Sequence, residues 1–286
     1  MKVFTWSLCF AVLAGVVLSA PVQAREVRPI ESLTPEEARR LLPAGELALD
    51  GLTTLSAEVA EVLAESRSEL HLDGLTTLSV EAAAALARHA GPVLSLDGLT
   101  TLSAEAAAAL AEHRGEQLYL NGLTGLADET VVTLAGHRGK YLSLDGLTRL
   151  SGETAKALAE RQGGISFDGV TTLTVEAAKA LASARTWDGH LPSLTAFEAP
   201  ESVEIAAALA TRKRLLRLPN LVKISPRTFA ALIAKRDVTI PLVETLDFIP
   251  EPDGSGNDDF VVPAWLEKRQ EEQRAEQQRF GRERGF

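Results

Sequence analysis

A frame that reads Leu-x-Leu-Asp-Gly-Leu-Thr-Thr-Leu in its most regular copies recurs nine times along this 286-residue chain. The residue after the second leucine falls at Asp50, Asp73, Asp97, Asn121, Asp145, Asp168, Pro192, Pro219 and Pro241, at spacings of 23, 24, 24, 24, 23, 24, 27 and 22. Self-similarity at a fixed period limits the possible folds severely. No single unit can bury its apolar face alone, so the units must stack and share one core.

Within a unit the periodicity changes. In Leu47-Ala48-Leu49 and its copies, apolar residues flank a variable one, as in a strand with one buried face. The following Asp-Gly is expected to bend the chain, because Gly accepts positive φ and Asp bonds to nearby backbone. Leu52 and Leu55 then return to the core. Ser56 is placed to cap a helix, with Glu58 in its first turn and Val59, Val62 and Leu63 at helical spacing. The alanine runs 82–85 and 106–109 favour helix and are small enough for close helix neighbours. His89, His113 and His137 fall at or near helix ends, with Gly91, Gly115 and Gly139 just beyond. A repeated strand and helix predicts parallel strands joined by right-handed crossovers.

Over residues 33–248 the pattern Leu-x-Leu-[Asp/Asn]-Gly-Leu-Thr-x-Leu-Ser-x-Glu resembles the leucine-rich-repeat family, in a bacterial variant. The resemblance implies an α/β fold: a right-handed solenoid with parallel strands on a concave face and helices on the convex face. The chain departs from the commonest family pattern, in which an Asn two or more residues later forms an internal ladder.

The flanks divide the chain. Residues 1–24 read as a secretory signal peptide, with Lys2, an apolar Val3 to Ala20 and a small-residue site at Val22-Gln23-Ala24. The competing reading is a membrane anchor, since the apolar run approaches spanning length. With the signal removed, the chain is expected to be periplasmic or extracellular and not inserted in a membrane. It also loses Cys9, its single cysteine, and with it any disulfide or thiolate chemistry. Residues 25–248 form the repeat domain. Within it, 33–42 are an N-terminal helical cap in which Thr34, Pro35 and Glu37 make a capping box. In the fourth unit Ala127 takes the N-cap position, and Asp128 is expected to cap instead. From Pro192 the units drift from the consensus. Residues 249–286 read as a linker and a charged, mobile, exposed tail, with Phe260 and Trp265 as candidates to dock on the last unit.

A net charge of −10 argues against a phosphate backbone as partner, so nucleic acid is excluded. With 45% apolar and 5% aromatic residues, the core must be mainly aliphatic. No phosphate-cradling glycine loop, nucleophile elbow or metal-ligand run is present, and the acids and serines occupy repeated structural positions. An enzyme is therefore not expected, nor a cofactor.

Strand alternation places variable residues on the face away from the leucines. Tyr119 and Tyr141, the chain's two tyrosines, both fall there, in adjacent units. Tyrosine offers apolar area with a polar tip and is a typical binding anchor. His71, Gln117, Tyr119, Tyr141 and His190 are the candidate partner-binding residues. The row of Asp50, Asp73, Asp97, Asn121, Asp145 and Asp168 should repel itself. Hydrogen bonds from each following Gly-Leu-Thr turn relieve this, or, less well supported, Ca²⁺ between rungs. His89, His113 and His137 are expected partly charged at helix C-termini and roughly 8–10 Å apart, too far to share an ion. The threonine row from Thr53 to Thr195 is expected to bond backbone between rungs. The expected function is a non-enzymatic protein–protein interaction module of the cell envelope or exterior; the alternative is a structural or self-assembling envelope protein.

Overall fold

The computed structural model describes residues 31–43, 46–251 and 261–283. The segment read as an export signal (1–24) lies outside these residues, as does Phe260. Among the described residues no helix is long and apolar enough to cross a membrane.

The fold is mixed α/β. The first five Leu-x-Leu copies each contribute a short strand: β1 (Glu46–Ala48), β2 (Glu69–His71), β3 (Val93–Ser95), β4 (Gln117–Tyr119) and β5 (Tyr141–Ser143). Two more pieces, β6 (Arg149–Leu150) and β8 (Thr172–Leu173), flank β7 (Gly164–Ser166). Strands β1, β2, β3, β4, β5 and β7 form one six-stranded parallel sheet in that order. Equivalent residues lie side by side, as in Leu94–Leu118, Leu118–Leu142 and Leu142–Ile165. Beyond the turn, β6 and β8 start a second column of parallel pairs. Further along, β9 (Leu216–Arg217) pairs with β11 (Val238–Thr239), and β10 (Lys223–Ile224) with β12 (Asp247–Phe248).

Helices alternate with the strands: α1 (Pro35–Leu41), α2 (Ala57–Leu63), α3 (Val80–Leu86), α4 (Ala104–Ala111) and α5 (Asp128–Ala135). They continue as α6 (Gly152–Glu160), α7 (Val175–Ser183), α8 (Ser202–Ala210) and α9 (Pro226–Ile233), each packed on the next. Leu70, Leu72, Leu75, Leu94, Leu96 and Leu99 are fully buried between sheet and helices. Ala82, Ala83, Ala106 and Ala107 are fully buried on the helix side, where small side chains permit close packing. Toward the C-terminus the core gains aromatic rings, Phe167 stacking on Trp187 at 5.4 Å.

Capping residues start most helices. Ser56, Ser79, Ser103, Ser151, Thr174 and Ser225 each accept a hydrogen bond from the backbone N–H three residues on. Thr34 and Glu37 close a reciprocal capping box. Asp128 does not take over for Ala127, contrary to expectation. Helix α5 has no side-chain cap, and Asp128 Oδ1 accepts from Thr154 Oγ1 of the next unit at 3.0 Å.

The glycine of Asp-Gly has a different purpose from the one expected. Gly189 (φ 85°) is the one positive-φ residue among those described. At Gly98 a Cβ would stand 1.9 Å from the Asp73 carbonyl oxygen and 2.9 Å from that of Leu75. The rungs approach too closely for any side chain. Gly98→Ala should therefore push two rungs apart and cost about 1–3 kcal/mol in urea unfolding. Wild-type stability in this variant would refute the steric reading.

His89, His113 and His137 depart from expectation too. All three are buried and stack face to face, with ring centroids 5.8 and 5.5 Å apart. They are closer than helix spacing suggested, and burial keeps them neutral rather than partly charged. Desolvation depresses His113 to about 3, aided by His137 and His89, and His137 to about 4, aided by the Arg161 guanidinium. The glycine two residues on makes room for each ring: a Cβ on Gly115 would lie 2.5 Å from His113 Cε1.

The same interior column continues with cations that sequence reading missed. Arg161 donates to the carbonyls of Ala135 (3.4 Å), His137 and Gly139 (2.8 Å), at the end of the preceding unit's helix. Arg212 donates to Leu181 (3.1 Å), Ala184 (2.9 Å) and Trp187 (2.6 Å), and lies 4.6 Å from the Trp187 ring centre. Lys235 Nζ donates to the Arg212 carbonyl at 2.5 Å. Each cation donates to carbonyls in or just beyond the last turn of the preceding unit's helix, and so ties one unit to the previous one.

The segment expected as an exposed tail forms α10 (Ala264–Glu283), whose first turns sit on the last unit. Leu266 is buried, and Trp265 packs against the core. Gln270 bridges the Pro241 carbonyl and the Val243 N–H, each at 3.1 Å, while Arg269 donates to the carbonyls of Arg236 and Val238. Trp265 thus docks on the last unit as its place in the apolar cluster suggested, while the polar contacts of Gln270 and Arg269 extend the attachment beyond what hydrophobic patterning registers.

Candidate functional site

The period-2 rule sets the site. With the leucines of each strand turned into the core, residues on either side of the first leucine face outward. Gln117 and Tyr141 are partners in register across β4 and β5, as are Tyr119 and Ser143. The rings of Tyr119 and Tyr141 consequently meet, with centroids 5.9 Å apart and planes tilted by 48°. Tyr119 donates its hydroxyl proton to Gln117 Oε1 at 2.6 Å, which fixes the ring's direction. Both tyrosines remain partly exposed.

Three of the five candidate residues thus come together: Gln117, Tyr119 and Tyr141. The other two lie to either side. His71 is in register with Ser95, whose other neighbour is Tyr119, so one strand separates it from the tyrosines. Its Nε2 is 3.6 Å from Glu69 Oε2. His190 lies two units beyond Tyr141, with Nδ1 3.4 Å from Asp168 Oδ2.

The acidic row borders the same face, because the alternation runs one step past each strand. Its repulsion is relieved between units, not within each turn as expected. Asp73 Oδ1 accepts from the Asp97 N–H (2.8 Å) and from Ser95 Oγ (2.6 Å). Asp97 Oδ1 accepts from the Asn121 N–H, Asn121 Oδ1 from the Asp145 N–H, and Asp145 Oδ1 from the Asp168 N–H, at 2.9, 2.9 and 2.8 Å. Asn121 fits the row because an amide oxygen accepts as a carboxylate does. The threonine row bonds between rungs at Thr100 and Thr171, whose hydroxyls donate to the carbonyls of Thr76 and Thr148.

The resulting potential is negative around the tyrosines. Burial, and then the carboxylates of Asp97, Glu69 and Asp145, hold the Tyr119 phenol above its usual value. Burial raises Tyr141 as well, opposed by a hydrogen bond with Ser166 and reinforced by Asp145. Burial and then Asp145 raise Asp168, against the pull of His190. Sequence reading assigned Asp97, Asp145 and Asp168 to turn structure and left them out of the site; extending the alternation by one residue would have included them.

Among the described residues no three His, Cys, Asp or Glu side chains converge as metal ligands would. The arrangement offers a pair of aromatic surfaces, fixed hydrogen-bonding groups and an acidic border. No known protein-family model matches the chain, and no curated protein shows significant sequence similarity to it.

Proposed function

We propose that this protein is a non-enzymatic protein–protein interaction module, built as a leucine-rich-repeat solenoid, exported to the periplasm or beyond, and binding through the outward face of its sheet. The observation that carries this reading is the contact of Tyr119 and Tyr141 at 5.9 Å, with Tyr119 tethered to Gln117. Two large side chains held in place lose little freedom on binding, so more of their contact energy appears as affinity. The in-order parallel sheet with helices between its strands, and the period near 24, support the solenoid. The acids bordering the face accept backbone N–H groups rung after rung, which favours scaffold over catalyst.

A self-assembling role has less support. Helix α10 occupies the last unit, the surface through which end-to-end stacking would run.

Affinity capture from the native envelope fraction tests the proposal, with tagged protein and a Tyr119→Ala, Tyr141→Ala variant side by side. A partner retained by the wild type should fall by about tenfold or more with the variant, as expected on losing two central anchors. Equal retention by both would remove the tyrosine face from the function.

A further inference from the structure

The face carries charge of one sign. Across β2, β3, β4, β5 and β7, the three outward rows (69, 71, 73 and their equivalents) contain Glu69, Asp73, Asp97, Asp145 and Asp168 and no lysine or arginine. The nearest basic residue in sequence, Lys140, is paired with Glu116 at 2.5 Å. Further along, Arg217 is paired with Asp188 at 3.6 Å. The one basic group within the rows is His71, held beside Glu69. Carboxylates alone would attract any counter-ion, and rings alone any apolar group. Here two partly exposed aromatic rings stand inside the carboxylate border.

That combination selects organic cations. An ammonium or guanidinium is drawn to an aromatic face within about 6 Å of the ring centre, and its apolar stem can lie along the ring. Surrounding carboxylates raise its local concentration and steer its approach. Resting on the binding role proposed above, we infer that the partner presents a lysine- or arginine-bearing segment to this face, with a cationic side chain seated on Tyr119 and Tyr141. A second copy of this chain is a poor occupant, because a net charge of −10 opposes self-encounter.

Isothermal titration of the full chain, purified after export, tests this with two unstructured peptides. One carries four lysines separated by Gly and Ser; the other has Gln at each of those positions. The lysine peptide should bind about tenfold tighter or more, and should weaken as salt rises. Tyr119→Phe with Tyr141→Phe should preserve that binding, since the ring faces remain. Tyr119→Leu with Tyr141→Leu should lose about tenfold while keeping the thermal midpoint. Glu69→Gln, at an exposed position outside the hydrogen-bonded acidic row, should weaken it several-fold. Three results would overturn the inference. Equal binding of both peptides, lost in the leucine variant, would leave the tyrosine face as a binding site without cation preference. Lysine-peptide binding unchanged in the leucine variant would place the attraction elsewhere. Binding of neither peptide would reject a cationic partner, and envelope capture would still judge the binding role separately.

Discussion

Lowering the pH from 7 to 4.5 should remove about 5 kcal/mol of stability through His113 and His137 alone. An imidazole in the unfolded chain takes up a proton near pH 6.5. In the folded protein burial depresses these two to about 3 and about 4. A base with a depressed folded value leaves the unfolded state holding more protons below pH 6.5. Stability is therefore intact above that pH and lost as pH falls toward the folded values, at about 1.4 kcal/mol per unit for each ring. His89 is depressed too and adds to the loss. Neither nitrogen of His113 has a hydrogen-bond partner, so no hydrogen bond offsets the desolvation and the repulsion from His137 and His89 that disfavour its charged form. Urea midpoints measured from pH 7 to pH 4.5 give the slope. In His113→Leu the slope should fall by about one proton. An unchanged slope would mean that the ring is already charged or hydrated in the fold.

Arg212→Ala should cost about 3–5 kcal/mol, the range for stripping one side of a buried, charged hydrogen-bonded set. Arg212 is 2% exposed, and its guanidinium is the donor to three carbonyls of the preceding unit. Its removal leaves those acceptors in a cavity against Trp187, and a lysine cannot span all three. Arg212→Lys should therefore recover only part of the loss. Thermal unfolding of the two variants checks both values. A loss below about 1 kcal/mol in Arg212→Ala would mean that water replaces the donors readily.

These two predictions rest on the column that sequence reading understood least. Repeat spacing revealed the strands, the helices and the serine and threonine caps, because periodicity and capping are local properties. Contacts between units are not local. The glycine after each Asp looks like a turn residue within one unit. Stacking places the previous rung's carbonyl where a Cβ on Gly98 would stand, only 1.9 Å from it, and that makes the glycine obligatory. Each Asp likewise appears to belong to its own turn, yet Asp73 and Asp97 accept from the unit that follows. The histidines look like charged helix ends until stacking buries them. Position in the repeat did contain a signal, since Arg161 and Lys235 lie at the same offset from their rung as His89, His113 and His137. For helix α10 the apolar Trp265 signalled docking at its start, but the contacts of Gln270 and Arg269 with backbone carbonyls gave no such signal.

On the outward face the balance was similar. Alternation brought Gln117, Tyr119 and Tyr141 to one spot, whereas His71 and His190 belong with Glu69 and Asp168 at its edges. The variable rows could be listed from sequence; which members touch depended on register.

Hydroxyl-radical footprinting of the protein, alone and with its captured partner, tests the binding face most directly. Both tyrosines should lose reactivity in the complex, while Trp265, at the start of α10, keeps its own. Tyrosines as reactive in the complex as in the free protein, with protection at Trp265 instead, would contradict binding through the sheet face and shift recognition to the C-terminal end.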